Sequence, residues 1–221
     1  MRYPGHPSGH GRAVTKGRSV PAPSEQPPRE SPHAPLLSLD VSMSASRPAR
    51  PREAPGESRG IAVRLATPDD AAAIIAIYNV EVENHTSTFD LVHRTLDEQR
   101  QWLAQRSGAF SAMVASIDDE VVGFASLSPY KERAAYRTTV EDSVYVSRDH
   151  SRLGIGRTLM EHVIGIAADS GFHSIMARIE ASGSASRELH AACGFELVGV
   201  EREVGRKFNR WLDVAVMQLM L

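Results

Sequence analysis

SVYVSRDHSRLGIGRTLMEHVI, residues 143–164, begins with alternating β-formers (Val144, Tyr145, Val146) and then crosses a polar segment that carries glycines. It continues as an apolar run, Leu159, Met160, Val163 and Ile164, at helical spacing. A strand that turns through glycine into a helix aims several backbone N–H groups, and the positive end of the helix dipole, at one point. A phosphate or pyrophosphate fits such a point. An ordinary strand-to-helix bend, with glycines present only to make the turn, has the same local sequence.

The flanking chain reads as an alternation of strands and helices. IAVRLA (61–66) has the period of a half-buried strand. Thr67-Pro68-Asp69-Asp70 is a helix start, with a cap residue, a proline at the first helical position and two acids in the first turn. The helix AAAIIAIYNVEVEN follows. Thr95 and Glu98 form a capping box that opens DEQRQWLAQR. A hairpin comes next: AFSAMVASI, the turn Asp118-Asp119, and EVVGFASLSPY. A strand over 138–146 leads into the opening segment. Beyond its helix lie the strand SIMARIE, the short helix SASRELHAAC, and closing strands near 196–204 and 211–221. The order β-α-α-β-β-β-α-β-α-β-β predicts an α/β (α+β) domain over 61–221. Its sheet is mostly antiparallel but mixed, flanked by helices, with one βαβ crossover. That length is ample for one core.

The first 60 residues differ in kind. They hold 11 of the 13 prolines and almost no aromatic residue, so they cannot bury enough apolar surface to offset their ordering entropy. A disordered tail is expected over 1–60, with Met43 as an alternative start. This segment carries 9 Lys+Arg against 5 Asp+Glu, leaving 16 against 22 for the rest of the 221-residue chain. The domain is therefore mildly acidic and lacks the basic stripe of a nucleic-acid binder. No apolar run approaches the ~18 residues that span a bilayer, and no secretory h-region opens the chain. Cys193 is the single cysteine, which excludes an internal disulfide and a multi-cysteine zinc site, and the histidines lack ligand spacing, so no metal is expected. A cytoplasmic protein with no membrane or nucleic-acid partner is the expectation.

The element order, with Gly154-Ile155-Gly156 after a Val-Tyr-Val strand, resembles the GNAT superfamily of acetyl-CoA-dependent N-acetyltransferases. Within it, HTSTFD (85–90), YKERAAYRTTVEDSVYV (130–146), SRELHAACGF (186–195) and GRKFNRWLDVAVMQL (205–219) resemble the phosphinothricin and methionine sulfoximine N-acetyltransferases. The resemblance covers residues 61–221. It implies the GNAT fold, acetyl-CoA as co-substrate, a small amine as acceptor, and a homodimer.

The resemblance also assigns roles. Main-chain groups of Val144, Tyr145 and Val146 are implied to hold the pantetheine arm, with an N–H there polarising the thioester carbonyl. Arg152, Leu153, Gly154, Ile155, Gly156 and Arg157 are implied to hold the pyrophosphate, and Ser186 to contact the cofactor. Two positions depart from the pattern. Ser151 stands where a Gln or Arg is usual, and Gly183 where an Asn is usual. Glu141 matches the family's proposed base. An amine arrives protonated and must lose a proton before it attacks a thioester, so a carboxylate placed among residues built for burial has a use there. The competing reading pairs Glu141 with Arg133 or Arg137. His190 stands where relatives place a Tyr or His near the CoA sulfur, suited to proton donation to the thiolate. A partly buried histidine with no catalytic duty is the alternative. Lys131, Arg133, Tyr136 and Thr139, just before the base, suit an anionic, amino-acid-like acceptor. Phe89 and Trp211 are candidate apolar walls, with an ordinary core aromatic as the alternative for each. Trp211 reads more readily as an ordinary core aromatic, and KFNRWLD as a segment for a dimer interface. Two rivals stand beside this reading: a non-catalytic acyl-CoA-binding module, and an acetyltransferase for another amine such as a protein N-terminus.

Overall fold

The computed structural model describes residues 60–221, so apart from Gly60 the expected tail lies outside the described residues. Seven strands form one sheet in the order β1-β2-β3-β4-β5-β7-β6. They are β1 (Ala62–Leu65), β2 (Met113–Ile117), β3 (Glu120–Pro129), β4 (Thr139–Val146), β5 (Ser174–Glu180), β6 (Glu196–Lys207) and β7 (Arg210–Met220). Every pairing is antiparallel except β4 with β5. That parallel pair needs a crossover, supplied by α3 (Ile155–Asp169).

Alternate residues of β2 feed two cores. Val114 joins the cluster under α1 (Ala71–Asn84) and α2 (Leu96–Ala104), with Ile74, Tyr78 and Phe124. Ala115 joins the cluster under α3, where Ile155, Leu159, Met160, Val163 and Ala167 form the helix's buried stripe against Val140 and Ile175. Leu189 and Cys193 of the segment around α4 (Ser184–Ala192) pack against that second cluster.

The local signals act as expected. Thr95 accepts from the Glu98 N–H at 3.3 Å, while Glu98 accepts from the Thr95 N–H at 2.8 Å. The Thr67 box closes on Asp70, which Arg64 also grips with two 2.7 Å bonds; the guanidinium holds the Asp70 pKa down at about 2. Asp118 and Asp119 both take positive φ (50° and 66°), as a two-residue hairpin turn requires. Phe208 and Asn209 do the same (49° and 58°) between β6 and β7. In AFSAMVASI only Met113–Ile117 is strand. Gly108–Phe110 instead forms a 3-10 turn, with Gly108 at φ 56°.

Candidate active site

The sheet opens in its middle. β4 and β5 pair only at Thr139↔Ser174, Val140↔Ile175 and Glu141↔Met176, although both strands run on. The Ser147 N–H donates to Val122 O at 2.8 Å, and the β3–β4 register is unbroken from there. Antiparallel pairs alternate, so the odd residues of β4 bond to β3. The main-chain N–H and C=O groups of Asp142, Val144 and Val146 therefore point toward β5, into a gap where the ladder has ended. An extended chain with acceptors and donors of its own fits such a gap as an added strand.

The turn at the end of β4 forms the second part of the site. After the short 3-10 turn Arg148–His150 the backbone enters the left-handed region at Arg152 (φ 64°) and again at Gly154 (φ 86°), the residue that caps α3. No amide of residues 152–157 donates to another described residue. Consecutive N–H groups left free at a helix start form an anion site, whatever side chains they carry. The Ser151 hydroxyl turns back to Arg148 O at 2.7 Å. Leu153 is exposed, Ile155 is buried in the core so that only its main chain faces the turn, and Arg157 is paired with Glu161 at 2.8 Å. At Gly156 a Cβ would meet Leu189 Cδ2 at 3.0 Å, so glycine lets the start of α3 approach α4. The residues fit a diphosphate ester with a long flexible arm.

Glu141 sits where the ladder ends. It is half-buried, and its strand neighbours Val140 and Asp142 turn to the α3–α4 face, so its own carboxylate lies on the opposite, open face. No described residue hydrogen-bonds or pairs with it within 4 Å, so neither Arg133 nor Arg137 holds it. Burial pushes its pKa up; the nearby Arg178 opposes that shift, and Asp142 and Glu201 add to it.

His190 lies on the other side of the sheet. It is 2% exposed. Its Nε2 meets Asp142 Oδ2 at 3.0 Å, and its Nδ1 meets the Ser186 carbonyl at 2.7 Å. Both ring nitrogens are committed, so the expected proton donor to a thiolate has no free edge for that duty. The pair ties α4 to β4 beside the gap. Burial would lower the histidine's pKa, but the Asp142 bond and charge outweigh it and the net shift is upward.

The segment 85–90 lies over the open face and is fastened along its length. Thr86 donates to Glu180 at 2.9 Å, Ser87 to Glu81, and the Tyr78 hydroxyl bonds Thr88 (2.8 Å) and Asp90 (2.7 Å). The buried Lys207 ammonium donates to Glu81 O and Thr88 O. Glu81 also receives two bonds from Arg148 (2.8 and 2.7 Å), which links this segment to the turn after β4. Phe89 rests on Gly205, where a Cβ would stand 2.1 Å from its ring. Tyr145 stacks with Phe124 and meets Tyr78 edge-on, and its main chain bonds to β3, so of the three residues expected to hold an extended arm only Val144 and Val146 face the gap. On the β3–β4 connection, Lys131 lies 4.6 Å from the Tyr130 ring and 5.3 Å from that of Tyr136, and Arg133 is exposed. Thr139 accepts from Ser174 at 3.3 Å. Trp211 corrects its reading: it is 61% exposed on β7, with Arg206 at 5.4 Å, and is no core aromatic. A Cβ at Gly183 would stand 3.1 Å from Glu180 O, so the usual asparagine needs the turn to give slightly.

Sequence reading passed over Arg178, Glu201, Lys207, Glu81 and Arg148. Arg178 left a signal: in SIMARIE it alternates with Ile175, Ala177 and Ile179, which puts a charge on the face opposite the core.

The acetyltransferase (GNAT) domain profile matches residues 63–216. The chain belongs to the GNAT acetyltransferases. This acetyltransferase is 40% identical over 158 residues to the phosphinothricin N-acetyltransferase of Alcaligenes faecalis, covering 71% of this chain and 80% of the relative. It is 38% identical over 161 residues to the L-methionine sulfoximine/L-methionine sulfone acetyltransferase of Pseudomonas paraeruginosa, covering 72% and 94%. Among solved structures it is similar to the GNAT-superfamily phosphinothricin acetyltransferase of Sinorhizobium meliloti, crystallised in complex with acetyl-CoA. The TM-score is 0.70 at 34% identity, over 73% of this chain and 88% of that one. The mixed α/β acetyltransferase fold expected from the element order is thus the fold observed.

Proposed function

We propose that this acetyltransferase moves the acetyl group of acetyl-CoA to the α-amine of a small amino-acid analogue of the phosphinothricin, methionine sulfoximine or methionine sulfone type. The observation that carries the reading is Glu141: an unpartnered, half-buried carboxylate at the point where β4 and β5 part. The family relatives act on small amines of this type by name. In the proposed reaction the acceptor ammonium gives its proton to Glu141, and the freed amine attacks the thioester carbonyl. The C–N bond forms and the C–S bond breaks; the proton still carried by the attacking nitrogen passes through water to the departing thiolate, and Glu141 releases its own proton to solvent. A main-chain N–H of Val144 or Val146 faces the carbonyl oxygen as its charge grows. The free amides of 152–157 hold the diphosphate. His190 has a positioning duty, fixing α4 against β4 through Asp142. Phe89 walls the acceptor side, and Lys131, Arg133 and Tyr136 lie near its far end.

Acetyl-CoA-dependent thiol release tests this directly. The panel is L-phosphinothricin, L-methionine sulfoximine, L-methionine sulfone, ordinary amino acids and a short peptide. Turnover confined to the tetrahedral sulfur or phosphorus analogues is expected, and release with the peptide alone would sink the acceptor class.

We place the enzyme in the cytoplasm, with its thioester co-substrate, and as a homodimer. Support for the dimer comes from the β6–β7 hairpin, whose outer strand β6 is a sheet edge. Leu197, Val198, Val200, Val204, Phe208 and Trp211 are all about half exposed or more there (48–61%). An apolar edge of this kind invites a partner. Light scattering is expected to give twice the 24.1 kDa chain mass, and Trp211→Lys to shift it toward one. A wild-type monomer would overturn the pairing.

A further inference from the structure

One arginine on the open face has no part in the reaction as described. Arg178 is the next residue after Met176 on the same side of β5, and Met176 is the residue opposite Glu141. Two residues along a strand is about 7 Å, so Arg178 stands just beyond the base, toward the end where the strands part. Lys131 and Arg133 lie on the connection that enters β4 at Thr139, at the other end of the strand pairing.

Glu201 of β6 keeps the guanidinium in place. Nη2 donates to Oε2 at 2.6 Å and Nη1 to Oε1 at 3.2 Å, a two-point fork. The two side chains remain 35% and 40% exposed. A pair this open is held weakly, because water competes for both partners. Its geometry nevertheless pre-sets the fork for a carboxylate.

An α-amino acid whose nitrogen lies at Glu141 carries its carboxylate on the adjacent carbon. That places an anion beside Arg178, where Glu201 offers the same chemical group at little cost to exchange. We propose that Arg178 recognises the α-carboxylate of the acceptor, with Glu201 as the side chain whose place that carboxylate takes, so that the enzyme selects free α-amino acids over plain amines and peptide N-termini. The assignment rests on the acetyl-transfer reading of the same site. It divides the acceptor between two cationic regions, the α-carboxylate at Arg178 and the distal head at the Lys131–Arg133 connection.

The test compares L-methionine sulfone with its carboxamide, which keeps the amine and the sulfone but lacks the carboxylate. Turnover of both is measured for the wild type, Arg178→Met, Arg178→Lys and Glu201→Gln, beside calorimetric titration of each acceptor into CoA-saturated protein. Arg178→Met is expected to lower kcat/KM for the free acid about 30-fold, through KM, and to leave the amide within about twofold. KM for acetyl-CoA stays unchanged, Arg178→Lys recovers part of the loss, and Glu201→Gln lowers KM for the acid. Equal losses for acid and amide, or no loss for either, would overturn the proposal. Wild-type protein that binds the acid over the amide but acetylates neither would sink the acetyl-transfer reading, and Arg178 would keep its carboxylate role only if Arg178→Met erased that binding preference. Failure to bind either acceptor overturns the assignment as well.

Discussion

Glu141→Gln is expected to lower kcat about 10²- to 10³-fold while leaving KM for acetyl-CoA unchanged, the span usual for loss of one general base. It is also expected to raise the melting temperature. Both effects have one cause. The Glu141 carboxylate is half-buried without a hydrogen bond or ion pair, and burial lifts its pKa above the ordinary 4.5. The folded protein therefore binds this proton more tightly than the unfolded chain. Its contribution to stability is greatest in acid and is lost as pH rises through the raised value, so the ionised group is a cost at neutral pH. Glutamine is the same shape and carries no charge to desolvate. The wild-type rate should climb with pH through the raised Glu141 pKa, where the base becomes available, and the variant should lack that limb. Steady-state rates from pH 4.5 to 8, with thermal melts of both proteins at pH 7, check the pair of effects. Wild-type kcat in the variant would remove Glu141 from the reaction.

The second large effect is one of stability. Asp142→Ala leaves His190 with an unsatisfied Nε2 in a site where its side chain is 3% exposed. Breaking a buried pair by deleting one member typically costs about 3 kcal/mol or more. The cost should depend on pH with a definite sign. The His190 pKa in the folded protein lies above its ordinary 6.5, held there by the Asp142 bond and charge against burial. The charged pair is therefore fully effective below pH 6.5 and fades as pH rises through the raised value. Denaturant unfolding at pH 5.5 and 8.5 should show a larger gap between wild type and variant at the lower pH. A gap independent of pH would mean that the histidine is not charged in the pair. Asp142 Oδ1 has no partner among the described residues, so the aspartate also carries a desolvation cost that offsets part of its value.

The two predictions separate the faces of one strand. Glu141 and Asp142 are adjacent in sequence and both carboxylates, yet one faces the open side and the other the α3–α4 core. Strand alternation predicts that they point apart. It does not say which face is reactive, because that depends on what packs over each side.

That contrast runs through the whole molecule. The helix starts at Thr67 and Thr95, the Asp118-Asp119 turn, the stripe of α3 and the glycine turn after β4 rest on interactions within a few residues, so the sequence by itself determined them. The element order follows from the same periodicities, whereas Glu141 as the candidate base came from the resemblance of its segment to the phosphinothricin acetyltransferases. Only the tertiary structure decided that pairing between β4 and β5 stops at Glu141, and that both His190 nitrogens are spent. It alone joined Arg178 to Glu201, Glu81 to Arg148, and Lys207 to the Thr88 carbonyl 119 residues away in sequence. Those pairings depend on register and on which side chains share a face across distant strands. A local sequence states which face a residue takes; what it meets there is set by strands and helices that the chain folds back from far away.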